Sequence, residues 1–446
     1  MLIVGIGAST GGLEALAPFV SNLSRQDDIS YIVVQHQDPD SSVTVFDKLT
    51  DATSLTVEKV IDGATPRPGV IHIAPDDCDI QLSEGCFRLT PASASQYVPC
   101  IDLFFNSLAQ QPLLAIGIIL SGNGQNGVYG VQALRQAGGV TIAQKPNTAL
   151  FPEMPRAAIH IGEADLTLSP AEAAKLLPRI ANRLKSISLS SVNKEYINSI
   201  IDDVFTTTGL DFVNYKESTI SRQIHRRMAI LQIPDIKHYC QHIGENPQEN
   251  FQLANTFLIC VTSFFRNKHC FDALRLALQE VISNKSPGDD IRIWSPGCAT
   301  GEEVYSIAML LAEELGPSFS RYRIQIYGTD INDKAIQVAR KGVYNQILLE
   351  QLPVNLRDKY FTRHQTEYSV CKLLRERVIF SRQDLIKDPP FIRLDLISCR
   401  NLLIYLNQIL QEKVLSIFHY SLRNNGVLFL GNAESLWSLN DAFTEL

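Results

Sequence analysis

Short apolar runs alternate with amphipathic segments in two separate blocks of this 446-residue chain, and the alternation stops between them. The first block carries "LIVGIG", "YIVVQH", "VIHIAP", "LLAIGIILSG" and "GGVTIAQ". Strands that read as continuous apolar runs are buried on both faces, the condition of a mostly parallel sheet covered by helices. From residue 290 onward the pattern returns as "IRIWS", "IQIYGTD", "RVIFSRQD", "LDLISCR" and "VLFLGN", each followed by a helical stretch, which is the order of a doubly wound sheet. In between, Ile197, Ile200, Ile201 and Val204 share one helical face and no strand alternation is visible. The expected fold is α/β: two doubly wound, mostly parallel sheet domains joined by a Ser-rich linker and a small all-α module. The expected boundaries are 1–185, a linker at 186–195, the helical module at 196–285 and the second sheet domain at 286–446. "SPAEAAKLLPRIANRL" opens the last helix before the linker, with Ser169 as N-cap, Pro170 in the first turn and Glu172 at the capping-box position.

A formal net charge of −7 argues against a general nucleic-acid binder. The longest apolar runs fall far short of the ~20 residues a membrane span needs, so no membrane insertion is expected. "MLIVGIGAST" lacks a basic leader and reads as a buried strand entering a turn. Nine cysteines are dispersed without a CxxC pair, which points to reduced thiols and a cytoplasmic protein. His238 and His242 stand at i, i+4, but no third ligand accompanies them, and no metal site is expected. Oligomeric state leaves no mark on the pattern.

In "LIVGIGASTGGLEAL" a strand, the turn Gly7-Ala8-Ser9-Thr10-Gly11 and a helix follow one another. GxSxG spacing pushes the serine hydroxyl out of a tight strand-to-helix turn, with backbone amides beside it to hold an oxyanion. The same glycines suit a dinucleotide-binding turn, although His36 stands where an acidic ribose ligand would close the next strand. A histidine at a neighbouring strand end is placed to act as a base on Ser9. Together "GASTGG", "VVQH", "PCIDLFFNSLA", "LSGNGQNGVYG" and "MPRAA", in this order, resemble the catalytic domain of the chemotaxis receptor methylesterases, the CheB family. The resemblance spans residues 1–185 and implies that Ser9 attacks a glutamyl methyl ester with His36 as general base. It also implies an aspartate orienting the histidine, and this chain has Asn126 there, as well as Asn123 where the family has methionine. In a Ser-His-Asp triad, Asp→Asn favours the wrong imidazole tautomer and costs about 10⁴-fold in turnover, so weak esterase activity is expected. Asp38 and Asp40 are candidate substitutes. In free-standing family members a receiver segment gates the serine, and none is expected ahead of Met1 here.

"IRIWSPGCATGEEVYSIAM" is a strand, a small-residue loop and a helix opening on Glu302 and Glu303. Paired carboxylates at a helix N-terminus repel a pyrophosphate, so a phosphate-free, cationic nucleoside such as S-adenosylmethionine fits better than a dinucleotide. Asp330 ends the second strand, where a carboxylate can accept ribose hydroxyls, or serves merely as N-cap of the next helix. Asp384 ends the third, placed toward an adenine edge. With "TSFFR" and "ISCRNLLIYL", residues 196–446 resemble the chemotaxis receptor methyltransferases, the CheR family. The resemblance implies cofactor contacts from Thr262, Arg266, Glu303, Asp330, Asp384, Leu385, Arg400 and Asn401, and places Arg266 and Tyr405 beside the transferring methyl. Cys260 replaces a family asparagine, residues 343–375 are expected to hold a small β insertion, and the chain stops before an expected last strand, as a piece of a longer protein would.

The expected activity is S-adenosylmethionine-dependent O-methylation of glutamates on chemotaxis-type receptors, fused to a methyl ester hydrolase. Two rivals are a non-catalytic first domain that presents receptor helices, and an NAD-linked enzyme built on the "GIGASTGG" turn. In "TISRQIHRRMAILQI" Arg222 and Arg226 share a helix face with Arg227 adjacent, either a solvated face or a docking strip for an acidic receptor helix.

Overall fold

A computed structural model describes the chain at residues 1–36, 44–91, 99–111, 115–160, 162, 164–189, 194–258, 260, 262–345, 348–349, 352–364, 367–432, 434 and 443–444. The chain divides into two compact units, Met1–Leu210 with Ile220–Phe257, and Asp211–Thr219 with Leu258–Leu446. The units do not part at the Ser-rich stretch: the helix begun at Pro170 runs on to Leu189 and the next starts at Lys194.

In the first unit, strands β1 (Leu2–Ala8), β2 (Ile29–Gln35), β3 (Thr56–Lys59), β4 (Val70–Ile73), β7 (Ala115–Ile119), β8 (Val140–Gln144) and β9 (Leu166–Leu168) form one sheet in the order β3-β4-β2-β1-β7-β8-β9. Every pairing is parallel. The helices α1 (Gly12–Val20), α2 (Val45–Ala52), α3 (Ile101–Ala109), α4 (Val128–Gln136), α5 (Glu153–His160) and α6 (Pro170–Leu189) connect or follow these strands. The central strands β1, β2 and β7 are buried throughout, as their unbroken apolar runs require. One hairpin adds to the expected elements: β5 (Cys78–Ser83) and β6 (Cys86–Pro91) pair antiparallel across Glu84 and Gly85. Both turn residues have positive φ (51° and 79°), the geometry whose twist matches the flanking strands. The α6 start is as expected, with Ser169 N–H donating to Glu172 (2.8 Å) and Glu172 N–H to Ser169 Oγ (3.4 Å).

Helices α7 (Lys194–Thr208), α8 (Glu217–Leu231), α9 (Ile236–Glu245) and α10 (Pro247–Phe257) make the helical module. The basic strip on α8 is neither a solvated face nor an open docking strip. The Arg226 guanidinium is buried against the Asp165 carboxylate, with Nε donating to the Gly139 carbonyl at 2.8 Å. Asp165 also takes Arg135 Nε (3.1 Å) and both donors of Thr141 (2.9 and 3.0 Å). Arg227 forks onto Glu249 at 2.8 and 2.6 Å, and Tyr239 shares that carboxylate at 2.8 Å. Exposed Arg222 leans on Gly138, where an added Cβ would lie 2.4 Å from its Cδ. His238 pairs with Asp235 (2.8 Å) and His242 with Asn246 (3.3 Å), so the two imidazoles have separate partners.

The second unit repeats the plan with β10 (Asp290–Pro296), β11 (Arg323–Asp330), β15 (Val378–Arg382), β16 (Leu394–Cys399) and β17 (Leu422–Leu430), ordered β15-β11-β10-β16-β17 and parallel throughout. Helices α11 (Lys268–Ser283), α12 (Glu302–Leu315) and α13 (Asp333–Lys341) belong to it. The expected β insertion is a small antiparallel sheet of β12 (Val343–Asn345), β14 (Glu367–Val370) and β13 (Phe361–His364).

Burial raises the cost of ionising Asp165, but Arg226 and Arg135 beside it more than offset this and hold its pKa below the usual 3.8. A depressed carboxylate stabilises the fold above its unfolded pKa and loses that contribution as pH falls through the folded value. Asp165→Asn, which leaves a buried guanidinium without its counter-charge, is expected to destabilise the first unit by about 3–5 kcal/mol at pH 7 in denaturant unfolding. The loss should shrink as pH falls below the ordinary carboxylate range and through the lowered folded value, where the native carboxylate protonates.

Candidate functional site

The parallel register of β1 and β2 pairs Ala8 with Gln35, so the next residues, Ser9 and His36, leave the sheet side by side at one edge. On the far side of β1, β7 leads into the loop carrying Asn126. Gly122 is required in that loop because any Cβ there would meet Ser9 Cβ at 2.8 Å. His36 Nδ1 lies 3.0 Å from Ser9 Oγ, and its Nε2 lies 3.1 Å from Asn126 Nδ2. The three sequence-predicted residues are therefore assembled. Asp38 and Asp40 lie outside the described residues. Ser9 N–H donates to Ser121 (2.9 Å) and Gly12 N–H to Ser9 (2.8 Å), and among the described residues no acceptor takes the Thr10 and Gly11 amides, on which an oxyanion site could draw.

A second neighbour of Nε2 is an acceptor. The Pro99 carbonyl lies 2.9 Å from Nε2, a contact that no side-chain pattern reveals. Asn126 Oδ1 accepts the Asp102 N–H at 3.0 Å, and this turns its Nδ2 toward the imidazole. The two neighbours of Nε2 demand opposite things. A hydrogen on Nε2 serves Pro99 and leaves the Nδ1 lone pair facing Ser9, as a general base requires; a lone pair on Nε2 serves Asn126 and puts the hydrogen on Nδ1. Both neighbours of Nε2 therefore bear on the tautomer, Pro99 as well as Asn126. Burial lowers the His36 pKa, while the Pro99 carbonyl and Asp79 pull it up; the net shift is downward, so the ring is a neutral base at neutral pH.

In the second unit the carboxyl ends of β10, β11, β15 and β16 share one edge. Of the eight described non-glycine residues at positive φ, Phe265, Asn267, Ala299 and Asn401 belong to the segments gathered there. Asp330 lies across the small-residue loop, accepting Ala299 N–H (2.9 Å) and Asn332 N–H (2.8 Å), and burial raises its pKa. It is not the cap of α13: Asn332 caps Lys334 and Ala335. Asp384 accepts the Ile386 and Lys387 amides (2.9 and 3.3 Å). Leu385 packs beside the Trp294 and Tyr327 cluster, Thr262 is half-buried in the segment before α11, and Cys260 receives Asn332 Nδ2 at 3.2 Å.

Glu303 accepts Ser398 Oγ (2.7 Å) and pairs with Arg400 (3.1 Å), whose other nitrogen donates to the Arg266 carbonyl (2.8 Å). Burial lowers the Arg266 pKa, and Tyr405, Arg400, Glu303 and Glu434 lie close enough to act on it electrostatically. Only Glu303 of the carboxylate pair is among them. Glu302 turns back to Thr300 Oγ1 (2.7 Å) and is pushed up to about 7 by burial. Two further contributors carry no mark in the sequence pattern. Glu434 accepts the Asn401, Leu402 and Leu403 amides (2.9, 2.9 and 2.8 Å), fixing the turn that carries Tyr405. Tyr215, bridged to Leu406, has its ionisation suppressed first by burial and then by Asp330 and Asp384.

This set fits S-adenosylmethionine: acceptors at Asp330 and Asp384 for hydroxyl and amine groups, a carboxylate at Glu303 for an ammonium, and guanidinium groups for a carboxylate. Arg400 Nε is buried and has no hydrogen-bond partner among the described residues, which leaves a donor for a bound acceptor.

Comparisons with known proteins match three consecutive parts of the chain. Residues 4–177 match the family model described as CheB methylesterase, 195–258 that of the CheR methyltransferase all-alpha domain, and 260–446 that of the CheR methyltransferase SAM binding domain. An uncharacterized 104.1 kDa protein of Rhodobacter capsulatus is 32% identical over 88% of this chain, which spans 44% of that protein's length. Chemotaxis protein methyltransferase 2 of Pseudomonas aeruginosa is 31% identical over 54% of this chain and 87% of its own. The Thermotoga maritima CheB methylesterase catalytic domain is 30% identical over 39% of this chain and 96% of its own, with a TM-score of 0.37. S-adenosylmethionine is thus the cofactor of the second unit. The chain belongs to the CheR family of chemotaxis protein methyltransferases, with a CheB-type methylesterase domain in the same polypeptide.

Proposed function

We propose that this chain methylates glutamate side chains of chemotaxis-type receptors and, in its first domain, hydrolyses the same methyl esters. The observation that carries the transferase reading is the cluster of Arg266, Glu303, Arg400 and Tyr405 beside Asp330 and Asp384 at the carboxyl edge of one parallel sheet. S-adenosylmethionine supplies an electrophilic methyl group on a sulfonium. Asp330 accepts ribose hydroxyls, Asp384 the adenine amine, and Thr262, Leu385 and Asn401 complete the contacts. Arg400 and Glu303 are held against each other, and Ser398 shares the carboxylate, which offsets part of the cost of burying them. A substrate glutamate is already a nucleophile at neutral pH, so the enzyme needs to aim it rather than deprotonate it. Arg266 and Tyr405 do the aiming, and ideal alignment is worth about 7–11 kcal/mol of barrier.

In the first domain Ser9 Oγ bonds to the ester carbon while its proton passes to His36 Nδ1; the proton then leaves with the methoxide as methanol, and water releases the acid. Opposed activities on one chain set a methylation level.

Calorimetry should show uptake of S-adenosylmethionine, weakened about ten- to a hundredfold by Asp330→Ala, as expected for hydrogen bonds to a charged group. A folded protein with no uptake would sink the transferase reading. With labelled cofactor and a receptor cytoplasmic fragment, methyl gain should persist in Ser9→Ala and Asn126→Asp. Methanol release should vanish in Ser9→Ala and rise in Asn126→Asp by less than the ~10⁴-fold of an Asp/Asn exchange in a complete triad, because Pro99 already serves Nε2. Release that is indifferent to Ser9 would remove the esterase reading.

A further inference from the structure

The carboxylate missing from the loop at Asn126 has a counterpart one peptide group away from His36. The carbonyl that faces His36 Nε2 belongs to Pro99, at 2.9 Å, and the N–H of that same peptide unit, on Cys100, donates to Asp79 Oδ1 at 2.8 Å. Asp79 is buried at 3% exposure in the β5–β6 hairpin, and Pro99 is buried as well. We propose that Asp79, acting through the Pro99–Cys100 peptide, is the positioning carboxylate of the esterase site and holds His36 in the tautomer that can deprotonate Ser9.

A carboxylate that accepts a peptide N–H polarises that peptide and strengthens its carbonyl as an acceptor, since hydrogen bonds in a chain reinforce one another in a low dielectric. The order is Asp79 carboxylate, Cys100 N–H, Pro99 C=O, His36 Nε2–H, His36 Nδ1 and the Ser9 hydroxyl. Asn126 competes for the opposite tautomer from 3.1 Å, so the strength of the Pro99 acceptor decides which form prevails. Asp79 also favours the imidazolium that forms when Ser9 attacks, which an amide at position 126 cannot do. The Cys100 thiol, 3.8 Å from Asn126 Oδ1, is pushed up to about 12 by burial, with Asp102 adding to it, and stays neutral. The proton ledger is that of the proposed ester hydrolysis: Asp79 takes up no proton, and Ser9's proton rests on Nδ1 until methoxide leaves.

The inference rests on Ser9 and His36 being an esterase pair, and its test separates the two. The tautomer is read on the full chain from the nitrogen-15 shifts of His36, which need no substrate. Asp79→Asn is the informative change, because an amide oxygen can still accept the Cys100 N–H while the charge is gone. The native protein should show hydrogen on Nε2. Asp79→Asn should move the population toward Nδ1–H, lower the His36 pKa, and reduce kcat for Ser9-dependent methanol release roughly ten- to a hundredfold with KM little changed. Adding Asn126→Asp to that variant should restore both readouts. A native ring already protonated on Nδ1, or a tautomer and titration indifferent to Asp79→Asn, overturns the relay. A tautomer that responds as described in a protein releasing no methanol would uphold the relay and reject the esterase reading.

Discussion

A parallel sheet puts the carboxyl ends of neighbouring strands on one edge, and both units of this protein draw their chemistry from that constraint. In the first, Ser9 follows β1 and His36 follows β2, and the register that pairs Ala8 with Gln35 brings hydroxyl and imidazole within 3.0 Å. In the second, the chain leaving β10, β11, β15 and β16 supplies Glu303, Asp330, Asp384 and Arg400 in turn. Helix N-termini gather at the same edge, where free amides and a positive dipole end favour oxyanions and carboxylates. Asp330 shows how closely strand end and loop depend on each other: its carboxylate bonds the amide of Ala299, a residue held at φ 47°.

The same constraint explains why much of the site is legible in the sequence and where legibility ends. Apolar runs reveal strands, and the residue after each run is a candidate functional group, so the hydropathy pattern alone singles out Ser9, His36, Asp330 and Asp384. Groups that act through the backbone carry no such mark. The Pro99 carbonyl has no side-chain identity, Asp79 sits in a hairpin whose Glu84-Gly85 turn lacks a strong turn signature, and Glu434 works by collecting amides more than thirty residues upstream. Tyr215 is silent for another reason. It lies between α7 and α8, away from any strand end, and gains meaning only by bridging to Leu406.

The aspartate-to-asparagine exchange is a question about two roles that one residue usually fills. An orienting carboxylate fixes which imidazole nitrogen carries the hydrogen, and it stabilises the charged ring. Here the roles are separable. Asn126 keeps its place because the Asp102 N–H and the Cys100 thiol hold its oxygen, while the Nε2 hydrogen has Pro99 to go to. Nothing in the exchange itself makes the site inert, because the outcome depends on which of two neighbours of Nε2 is the stronger partner.

Arg226 illustrates the converse, a residue whose spacing suggests a binding surface and whose environment removes it from one. Taking a guanidinium out of water costs several kcal/mol unless a counter-charge and further hydrogen bonds accompany it. Asp165 and the Gly139 carbonyl supply both, and Arg227 is likewise committed to Glu249. A strip that would attract an acidic helix is therefore reduced to exposed Arg222, which already leans on the turn at Gly138. With a net charge of −7 the protein exerts no overall pull on an acidic partner, and attraction has to come from local groups. On the proposed transferase reading that group is Arg266, to which recognition and alignment of an arriving glutamate both fall.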